Sequence, residues 1–375
     1  MHYCKMKRLG LEMKKKWTCE EANEWYAKLG WLRGCNFIGS DCANRLDMFQ
    51  AYKSEEKLAT AEREIALCEE IGFNTVRIWA NFDVYYKEPD SYMEIFDRYI
   101  DIFARHGMKT MVVLCHEEDL PLGDVFMAKP MGEQPYALGY HQGREPMSDN
   151  EKSLKPHHYL EYDETRQLFL DMVRKTVEKY ARDERILVWN IYNEPGINLD
   201  SETSITIMKE LFSLVRSLDP IQPLCSDIWR ATKNGEPSTP EERLSLELSD
   251  VISYHCYGDY VKQILEIHNL QQFNRPIFQT EWLHRINHNT VQEIYPLFYI
   301  TNVANYCWGF VVGKTQTNEP WDVMWEQLDN KDPRASSYDF TKWQHDLFRP
   351  NLRPYDPREI ALIKKFNDKA KSEGR

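Results

Sequence analysis

Apolar residues along the chain follow two alternating patterns. Short apolar runs rich in β-branched and aromatic residues are typical of buried strands, and segments with apolar residues three or four apart are typical of amphipathic helices. The segments between the strand-like runs show the helical spacing, ending with a terminal helix that contains Ile360, Ile363 and Phe366. The strand-like runs are residues 32–38, 73–79, 109–116, 186–194, 223–227, 250–255, 275–282 and 306–312.

Capping boxes indicate where several of the helices begin. Thr18-x-x-Glu21, Ser91-x-x-Glu94 and Thr239-x-x-Glu242 each place a hydroxyl three residues before a glutamate, which satisfies free backbone N–H groups at a helix start. Proline follows Thr239 directly, and proline favours the first helical position. We therefore expect helices to start at these three points.

Eight strands alternating with eight helices favour one particular fold class. The series fits a single (β/α)8 TIM barrel better than a doubly wound α/β sheet, and 375 residues with 42% apolar content suffice for its core. We expect residues 1–30 to form a short N-terminal helical extension and residues 31–375 the catalytic barrel. Residues 117–158 and 313–357 lack periodicity, which predicts long, functional loops after strands three and eight.

Composition excludes several classes of partner and location. The net charge of -12 argues against nucleic acid and anionic membranes, which both bind basic patches. No apolar run is long enough for a membrane span, and no apolar segment follows the basic residues of the first sixteen as in a signal peptide. The nine cysteines are scattered, with no Cys-x-x-Cys pair. We expect a cytoplasmic protein with reduced thiols and no cofactor.

Polar residues at the carboxyl ends of the strands are the candidates for function, because a barrel builds its active site there. Glu194 and Glu281 end strands four and seven, and glycoside cleavage needs such a pair of carboxylates. The chain is also 13% aromatic, and aromatic rings stack on sugars. The other candidates at strand ends are Arg77, Trp79, His116, Asn193, His255, Tyr257, Trp282 and Trp308.

Taken together, these residues resemble those of the clan A retaining glycoside hydrolases, most closely glycoside hydrolase family 5, which includes cellulases and mannanases. The resemblance covers residues 34–308. It rests on Trp189-Asn190-x-x-Asn193-Glu194-Pro195, Arg77, His116, His255-x-Tyr257, Gln279-Thr280-Glu281-Trp282 and Trp308. A second Asn-Glu-Pro, at residues 318–320, lies in an unpatterned segment, so we favour Glu194 over Glu319 as the catalytic acid.

The resemblance implies a retaining β-glycosidase that uses two glutamates in a double displacement. Glu194 is then the general acid/base and Glu281 the nucleophile. We expect the charge of Glu281 to raise the pKa of Glu194 and keep it protonated before the reaction. Arg77 and Tyr257 are expected to keep Glu281 ionised.

The remaining strand-end residues are expected to bind or support the sugar. The resemblance implies that Asn193 binds the 2-hydroxyl and that Trp308 is the stacking floor. His116 and His255 are expected to bind substrate or orient neighbours. Trp79 and Trp282 are expected to support the site or to pack under a helix.

The loop after strand eight adds an expectation about the mode of cleavage. Lys314, Gln316, Trp321 and Asp322 follow strand eight and could close one end of a groove. We therefore expect a pocket that removes terminal sugars from short oligosaccharides, although polysaccharide remains an open substrate.

Three alternatives to this interpretation remain open. The same residues could serve a transglycosylase, and the same barrel could bind carbohydrate without catalysis. The segment His116-Glu117-Glu118-Asp119, together with His157-His158, prompts a metal-dependent barrel hydrolase. We do not favour a metal site, because the strand ends offer few clustered ligands.

Overall fold

A computed structural model describes residues 15–231 and 236–375. Eight parallel strands form a closed barrel in sequence order, so the (β/α)8 prediction is confirmed. The strands are β1 (Arg33–Asn36), β2 (Thr75–Trp79), β3 (Lys109–Val113), β4 (Ile186–Tyr192), β5 (Leu224–Ile228), β6 (Ile252–His255), β7 (Ile277–Trp282) and β8 (Ala304–Cys307).

Helices surround the barrel and fill its long loops. They are α1 (Cys19–Ala27), α2 (Arg45–Phe49), α3 (Ser54–Glu70), α4 (Phe82–Lys87), α5 (Pro89–Arg105), α6 (Asp149–Lys152), α7 (Asp163–Tyr180), α8 (Ser201–Ser217), α9 (Pro240–Leu248), α10 (Tyr260–Gln271), α11 (Val291–Thr301), α12 (Asp322–Asp329) and α13 (Pro357–Ser372). Helices α6 and α12 lie within the two segments that lack periodicity.

Most strands lie where the apolar runs predict them, but strand eight does not. It occupies Ala304–Cys307 instead of residues 306–312. The chain turns out of the sheet at Gly309, where φ is +72°, and a Cβ atom there would collide with the carboxylate of Asp346. The apolar residues after Gly309 are therefore buried outside the barrel wall.

Two of the three capping boxes form as predicted. Thr18 and Glu21 exchange hydrogen bonds of 2.7 and 3.1 Å, and Thr239 caps α9 together with Glu242. The prediction for Ser91 is wrong, because α5 begins at Pro89 and contains Ser91 within its first turn. Proline at the first helical position fixes the start there.

Helix α1 covers the amino end of the barrel. The ring of Trp25 stacks on Phe278 at 6.3 Å, and Tyr26 meets the same ring edge-on at 5.6 Å. The Tyr26 hydroxyl donates a hydrogen bond of 3.0 Å to the Asn302 carbonyl. Apolar side chains of β3, β4 and β5 belong to the same cluster: Met111, Leu187, Val188 and Cys225. The amino end is thus sealed, which leaves the carboxyl end for a ligand.

Two compositional expectations can be compared with the described residues. No helix in these ranges is both long and apolar enough to cross a membrane. The eight cysteines that the structure describes are free thiols, and all but Cys19 are buried. The expectation of no signal peptide concerns mainly residues 1–14, which lie outside the described residues.

Candidate active site

The two candidate glutamates meet at the carboxyl end of the barrel. Glu281 lies on β7, Glu194 lies just beyond β4, and an oxygen of each falls within 4.8 Å of the other and of a His255 ring nitrogen. All three line a cavity of about 620 Å³. The cavity is also bordered by Trp308, after β8.

The backbone at Glu194 adopts a conformation that residues other than glycine rarely adopt. Its φ is +43°, in the left-handed region. The Asn193 N–H still bonds to the Cys115 carbonyl at 2.9 Å, as in a sheet, whereas Pro195 cannot donate a hydrogen bond. Such strain is concentrated at functional sites. Here it ends the strand at the point where the carboxylate enters the cavity.

Arg77 links four side chains beneath the cavity. One of its terminal nitrogens donates to Glu281 at 2.8 Å and to Asn36 at 3.1 Å. The other donates to Asn193 at 2.6 Å and to Asp227 at 2.8 Å. Arg77 is fully buried, so these contacts are shielded from water. The guanidinium therefore both orients Glu281 and balances two negative charges.

Tyr257 holds the second oxygen of Glu281. Its hydroxyl donates a hydrogen bond of 2.8 Å to Glu281 Oε2, while Arg77 binds Oε1. Burial raises the pKa of Tyr257 well above its usual value, and the charge of Glu281 adds to this effect. The phenol therefore remains a donor. With one donor on each oxygen, the Glu281 side chain is held in a defined position.

His255 lies between three carboxylates. Its Nδ1 is 2.7 Å from Glu194 Oε1 and 3.5 Å from Glu281 Oε2, and its Nε2 is 3.5 Å from Asp227 Oδ2. Burial alone lowers the pKa of His255, but the charges of Glu281 and Asp227 outweigh burial and raise it to about 10. The ring is therefore a cation that donates a hydrogen bond to Glu194.

Glu194 has the electrostatic surroundings of a proton donor. Burial raises its pKa to about 7, the charges of Glu281 and Glu118 act in the same direction, and the His255 hydrogen bond opposes them. The sequence-based explanation named only the charge of Glu281. Burial contributes more, and it depends on the cavity walls, which the sequence pattern did not predict.

Asp227 was not assigned to the site, although it ends a strand. Burial alone would raise its pKa, but Arg77 and His255 hold it well below the usual value. It accepts hydrogen bonds from Arg77 at 2.8 Å and from Asn190 at 2.7 Å. Asp227 follows the apolar residues of β5 as Glu194 follows those of β4. This position in the sequence could have identified Asp227 as a site residue.

Trp79, the last residue of β2, and Trp308, just after β8, lie at different depths. Trp308 lines the cavity and is 6% exposed. Trp79 is 1% exposed and meets the Trp308 ring edge-on at 5.3 Å. The guanidinium groups of Arg77 and Arg45 lie 4.8 and 4.6 Å from the Trp79 ring centroid. Trp79 is therefore placed to support Trp308 and the two arginines from below.

Asn193, which was expected to bind the sugar 2-hydroxyl, does not line the main cavity, and of the two roles expected for Trp282 its placement fits packing under a helix. Asn193 is fully buried, its Oδ1 accepts from Arg77, and its Nδ2 donates to Glu118 at 2.6 Å, so its amide is already engaged. Trp282 lies outside the cavity under α11, with its ring 5.2 Å from Phe298. Neighbouring side chains of a strand point to opposite faces, so Glu281 points inward and Trp282 outward.

His116 faces the edge of the site. Its side chain is 12% exposed, and its Nδ1 is 3.2 Å from Glu118 Oε2. It lines a second cavity of about 570 Å³ next to the first, and Arg45 borders both cavities. His116 was expected either to bind substrate or to orient a neighbouring side chain. Its placement fits the second role, because it contacts Glu118, and Glu118 lines the main cavity.

The loop after β8 contributes to the site through residues other than Lys314. Lys314 pairs with Glu133 at 3.4 Å and does not line the main cavity. Gln316 binds the backbone of the other long loop, at Gly139 N and Ala137 O, with distances of 2.7 and 2.5 Å. Trp321 lines the cavity instead.

In the described residues, the two histidines that prompted the alternative of a metal-dependent hydrolase, His157 and His158, do not join a cluster of metal ligands. His158 bonds to Cys115 at 3.1 Å, and the nearest carboxylate to His157 is that of Asp124 at 3.9 Å. Among the described residues, Glu194, His255 and Glu281 are the set with three ligand atoms close enough for one ion.

A barrel whose mouth holds two buried carboxylates, one bound by an arginine and a tyrosine and the other by a histidine, has the site of a glycoside hydrolase. The family model of cellulase, glycosyl hydrolase family 5, matches residues 34–302. The chain belongs to this family and is a glycosidase. No curated protein sequence matches the chain.

Solved structures of family 5 proteins share this fold. An exo-β-1,4-mannosidase from Opitutaceae bacterium strain TAV5 is 14% identical with a TM-score of 0.55, over 91% of this chain and 60% of that chain. An endo-β-1,4-mannanase from Thermotoga petrophila is 14% identical with a TM-score of 0.54, over 92% and 78%. A family 5 mannosidase from Rhizomucor miehei is 15% identical with a TM-score of 0.52, over 92% and 94%.

Proposed function

We propose that this chain is a retaining β-glycosidase in which Glu194 is the general acid/base and Glu281 the nucleophile. The observation that carries the proposal is the pair of carboxylate oxygens within 4.8 Å of each other. Retaining glycosidases hold their carboxyl groups about 5–5.5 Å apart, whereas inverting enzymes leave room for a water molecule at about 6.5–9.5 Å. The short spacing supports direct attack on the sugar.

In the first step, a Glu281 oxygen bonds to the anomeric carbon while the glycosidic C–O bond breaks. Glu194 gives its proton to the departing oxygen, and its raised pKa of about 7 supports this role. Arg77 and Tyr257 hold the two oxygens of Glu281, so one oxygen can attack while the other keeps its hydrogen bond.

In the second step, water replaces the enzyme at the anomeric carbon. The ester at Glu281 carries no negative charge, so the pKa of Glu194 falls and its carboxylate can take a proton from water. The oxygen of that water attacks the anomeric carbon, and the ester bond to Glu281 breaks. His255 donates a hydrogen bond to Glu194 and stabilises the carboxylate that forms.

The shape of the cavity supports removal of terminal sugars from β-linked oligosaccharides. Trp321, from the loop after β8, and His141 and Gln142, from the loop after β3, border the cavity mouth. The Trp321 indole donates a hydrogen bond of 3.2 Å to His141 Nε2, which ties the two loops together. A wall of this kind limits how far a chain can extend beyond the bond that is cut.

The test is azide rescue of two variants on aryl β-glycosides, starting with mannosides because several structural neighbours carry that name. We expect Glu281→Gly with azide to give an α-glycosyl azide and Glu194→Ala to give the β-glycosyl azide. Azides of the opposite configuration, or an inverting wild type, would contradict the proposal. Glu319→Gln, in the second Asn-Glu-Pro and outside the cavity, is the matched control and should keep wild-type activity.

A further inference from the structure

A second pair of charged side chains, Arg45 and Glu118, lines the main cavity and takes no direct part in the two chemical steps. Arg45 begins α2, after β1, and Glu118 lies just after β3. The two side chains are 7% and 17% exposed. They border the side of the cavity that adjoins the second cavity.

The pair is held in place from below. Arg45 NH1 is 3.7 Å from Glu118 Oε2 and 3.4 Å from His116 Nδ1. The guanidinium of Arg45 stacks over Trp79 at 4.6 Å. Glu118 Oε1 accepts a hydrogen bond of 2.6 Å from Asn193 Nδ2. The positions of both groups are therefore set by side chains that the structure also places around the catalytic pair.

The two groups have unused hydrogen-bonding capacity. Burial alone would raise the pKa of Glu118, but Arg45 and His116 lower it to about 2, so the side chain is an ionised carboxylate. A carboxylate accepts about four hydrogen bonds and a guanidinium donates five. Among residues 15–231 and 236–375, Asn193 donates a hydrogen bond to Glu118 Oε1, while His116 Nδ1 and Arg45 NH1 lie 3.2 and 3.7 Å from Oε2, which leaves accepting capacity on both oxygens. Burying charges with few partners is costly unless a ligand completes them.

A strong acceptor next to a strong donor matches the chemistry of neighbouring sugar hydroxyls. One hydroxyl can donate to the carboxylate while the next accepts from the guanidinium, and charged partners make these hydrogen bonds about twice as strong as neutral ones. The amide of Asn193, which was expected to bind the sugar, is instead engaged by Glu118. Glu118 therefore lies between Asn193 and the cavity.

We propose that Arg45 and Glu118 bind two neighbouring hydroxyls of the sugar in the main cavity and thereby determine which sugar the enzyme accepts. This inference rests on the proposed glycosidase function and adds the residues that give it specificity. It concerns substrate contacts beyond those of Glu194 and Glu281.

The experiment compares the wild type and two variants on substrates that each lack one hydroxyl. The wild type is first measured on aryl β-glycosides of several sugars, and the best substrate is then compared with its 2-, 3-, 4- and 6-monodeoxy analogues. We expect kcat/KM to fall about 100-fold or more for two neighbouring positions, because a charged group loses its partner. In Glu118→Gln the loss at one of these positions should shrink to about 10-fold or less, and in Arg45→Met the loss at the other should shrink likewise.

The matched control is Asp119→Asn. Asp119 is next in sequence, pairs with Arg144 at 2.7 Å and lies outside the main cavity, and its φ of +66° suits asparagine. This variant should discriminate among the analogues as the wild type does. Circular dichroism and the melting temperature establish that each variant folds, and either Glu118→Gln or Arg45→Met suffices for the comparison.

Two failures can be told apart. If both variants lose activity by the same factor on every analogue, Arg45 and Glu118 are structural and this inference is overturned while the glycosidase proposal stands. If the wild type hydrolyses no β-glycoside, the proposed function fails and this inference fails with it.

Discussion

Glu194 and Glu281 have the same side chain but opposite surroundings. Arg77 and Tyr257 each donate a hydrogen bond to Glu281, one to each oxygen. Glu194 is buried and has a pKa raised to about 7, with a hydrogen bond from His255. Separate environments of this kind allow one carboxyl group to donate a proton while the other attacks.

The pH dependence of activity should follow Glu194. In the proposed mechanism Glu194 donates a proton, so kcat/KM should fall as pH rises through about 7. His255 lowers the pKa of Glu194, and the variant His255→Gln should therefore move this alkaline limb to higher pH. The measurement is kcat/KM on an aryl glycoside from pH 5 to 9, with buffer controls. A limb that moves to lower pH would contradict the assignment.

Arg77 should matter for both folding and catalysis. Arg77→Met removes the guanidinium that bonds to both Asp227 and Glu281, and breaking a buried pair costs about 3–5 kcal/mol of unfolding free energy. We expect that loss in urea unfolding and a fall in kcat of at least about 100-fold. Arg98→Met, which breaks an exposed pair with Glu55, should change stability by no more than about 1 kcal/mol. Equal losses in both variants would argue against a special role for Arg77.

At the scale of elements, the two long loops act together. Gln316 binds the backbone at Gly139 and Ala137, and Trp321 binds His141. The loop after β3 and the loop after β8 are far apart in sequence, yet together they form one wall of the cavity. Outside the helices α6 and α12, side-chain contacts of this kind satisfy backbone groups of the loops in place of regular secondary structure.

Loosening this wall should change how substrate binds. Gln316→Asn shortens the side chain by one methylene, so it cannot reach both partners, and asparagine tolerates the φ of +46° at this position. We expect KM for a short oligosaccharide to rise several-fold, with kcat nearly unchanged and more internal cleavage of a longer chain. Lys314→Ala, in the same loop but on its surface, is the control and should leave KM unchanged. An unchanged KM in Gln316→Asn would show that the wall does not confine substrate.

At the scale of the whole molecule, the two ends of the barrel have different tasks. The amino end is covered by α1 and packed with apolar side chains, whereas the carboxyl end has the charged groups and the cavity. Stability and chemistry should therefore respond to different substitutions.

Tyr26→Ala tests this separation. Tyr26 is 5% exposed and packs on Phe278, and removing a buried aromatic ring costs about 3–5 kcal/mol. Tyr26→Phe keeps the ring and loses only the hydrogen bond to Asn302, at a cost of about 1 kcal/mol. Urea unfolding should resolve the two variants, while kcat/KM below the transition stays at the wild-type value. A fall in kcat/KM in both variants would show that the two ends are coupled.

Local patterns predicted most of the fold. Apolar runs located seven strands to within a few residues, and capping boxes located the starts of α1 and α9. The predicted bounds of strand eight were wrong because apolar residues after Gly309 are also buried, and an apolar run does not distinguish a strand from a packed loop. The prediction that Ser91 caps a helix was wrong because Pro89 fixes an earlier helix start.

The sequence by itself determined the barrel and the strand ends on which Glu194, Glu281, Arg77, His255 and Tyr257 lie, because periodicity and chain order are local properties. Only the tertiary structure decided that Asn193 is engaged by Glu118, that Trp282 points away from the cavity, and that burial is the main cause of the raised pKa of Glu194. These depend on distances and solvent exclusion between residues from different strands and loops, which a single sequence does not encode at any one position.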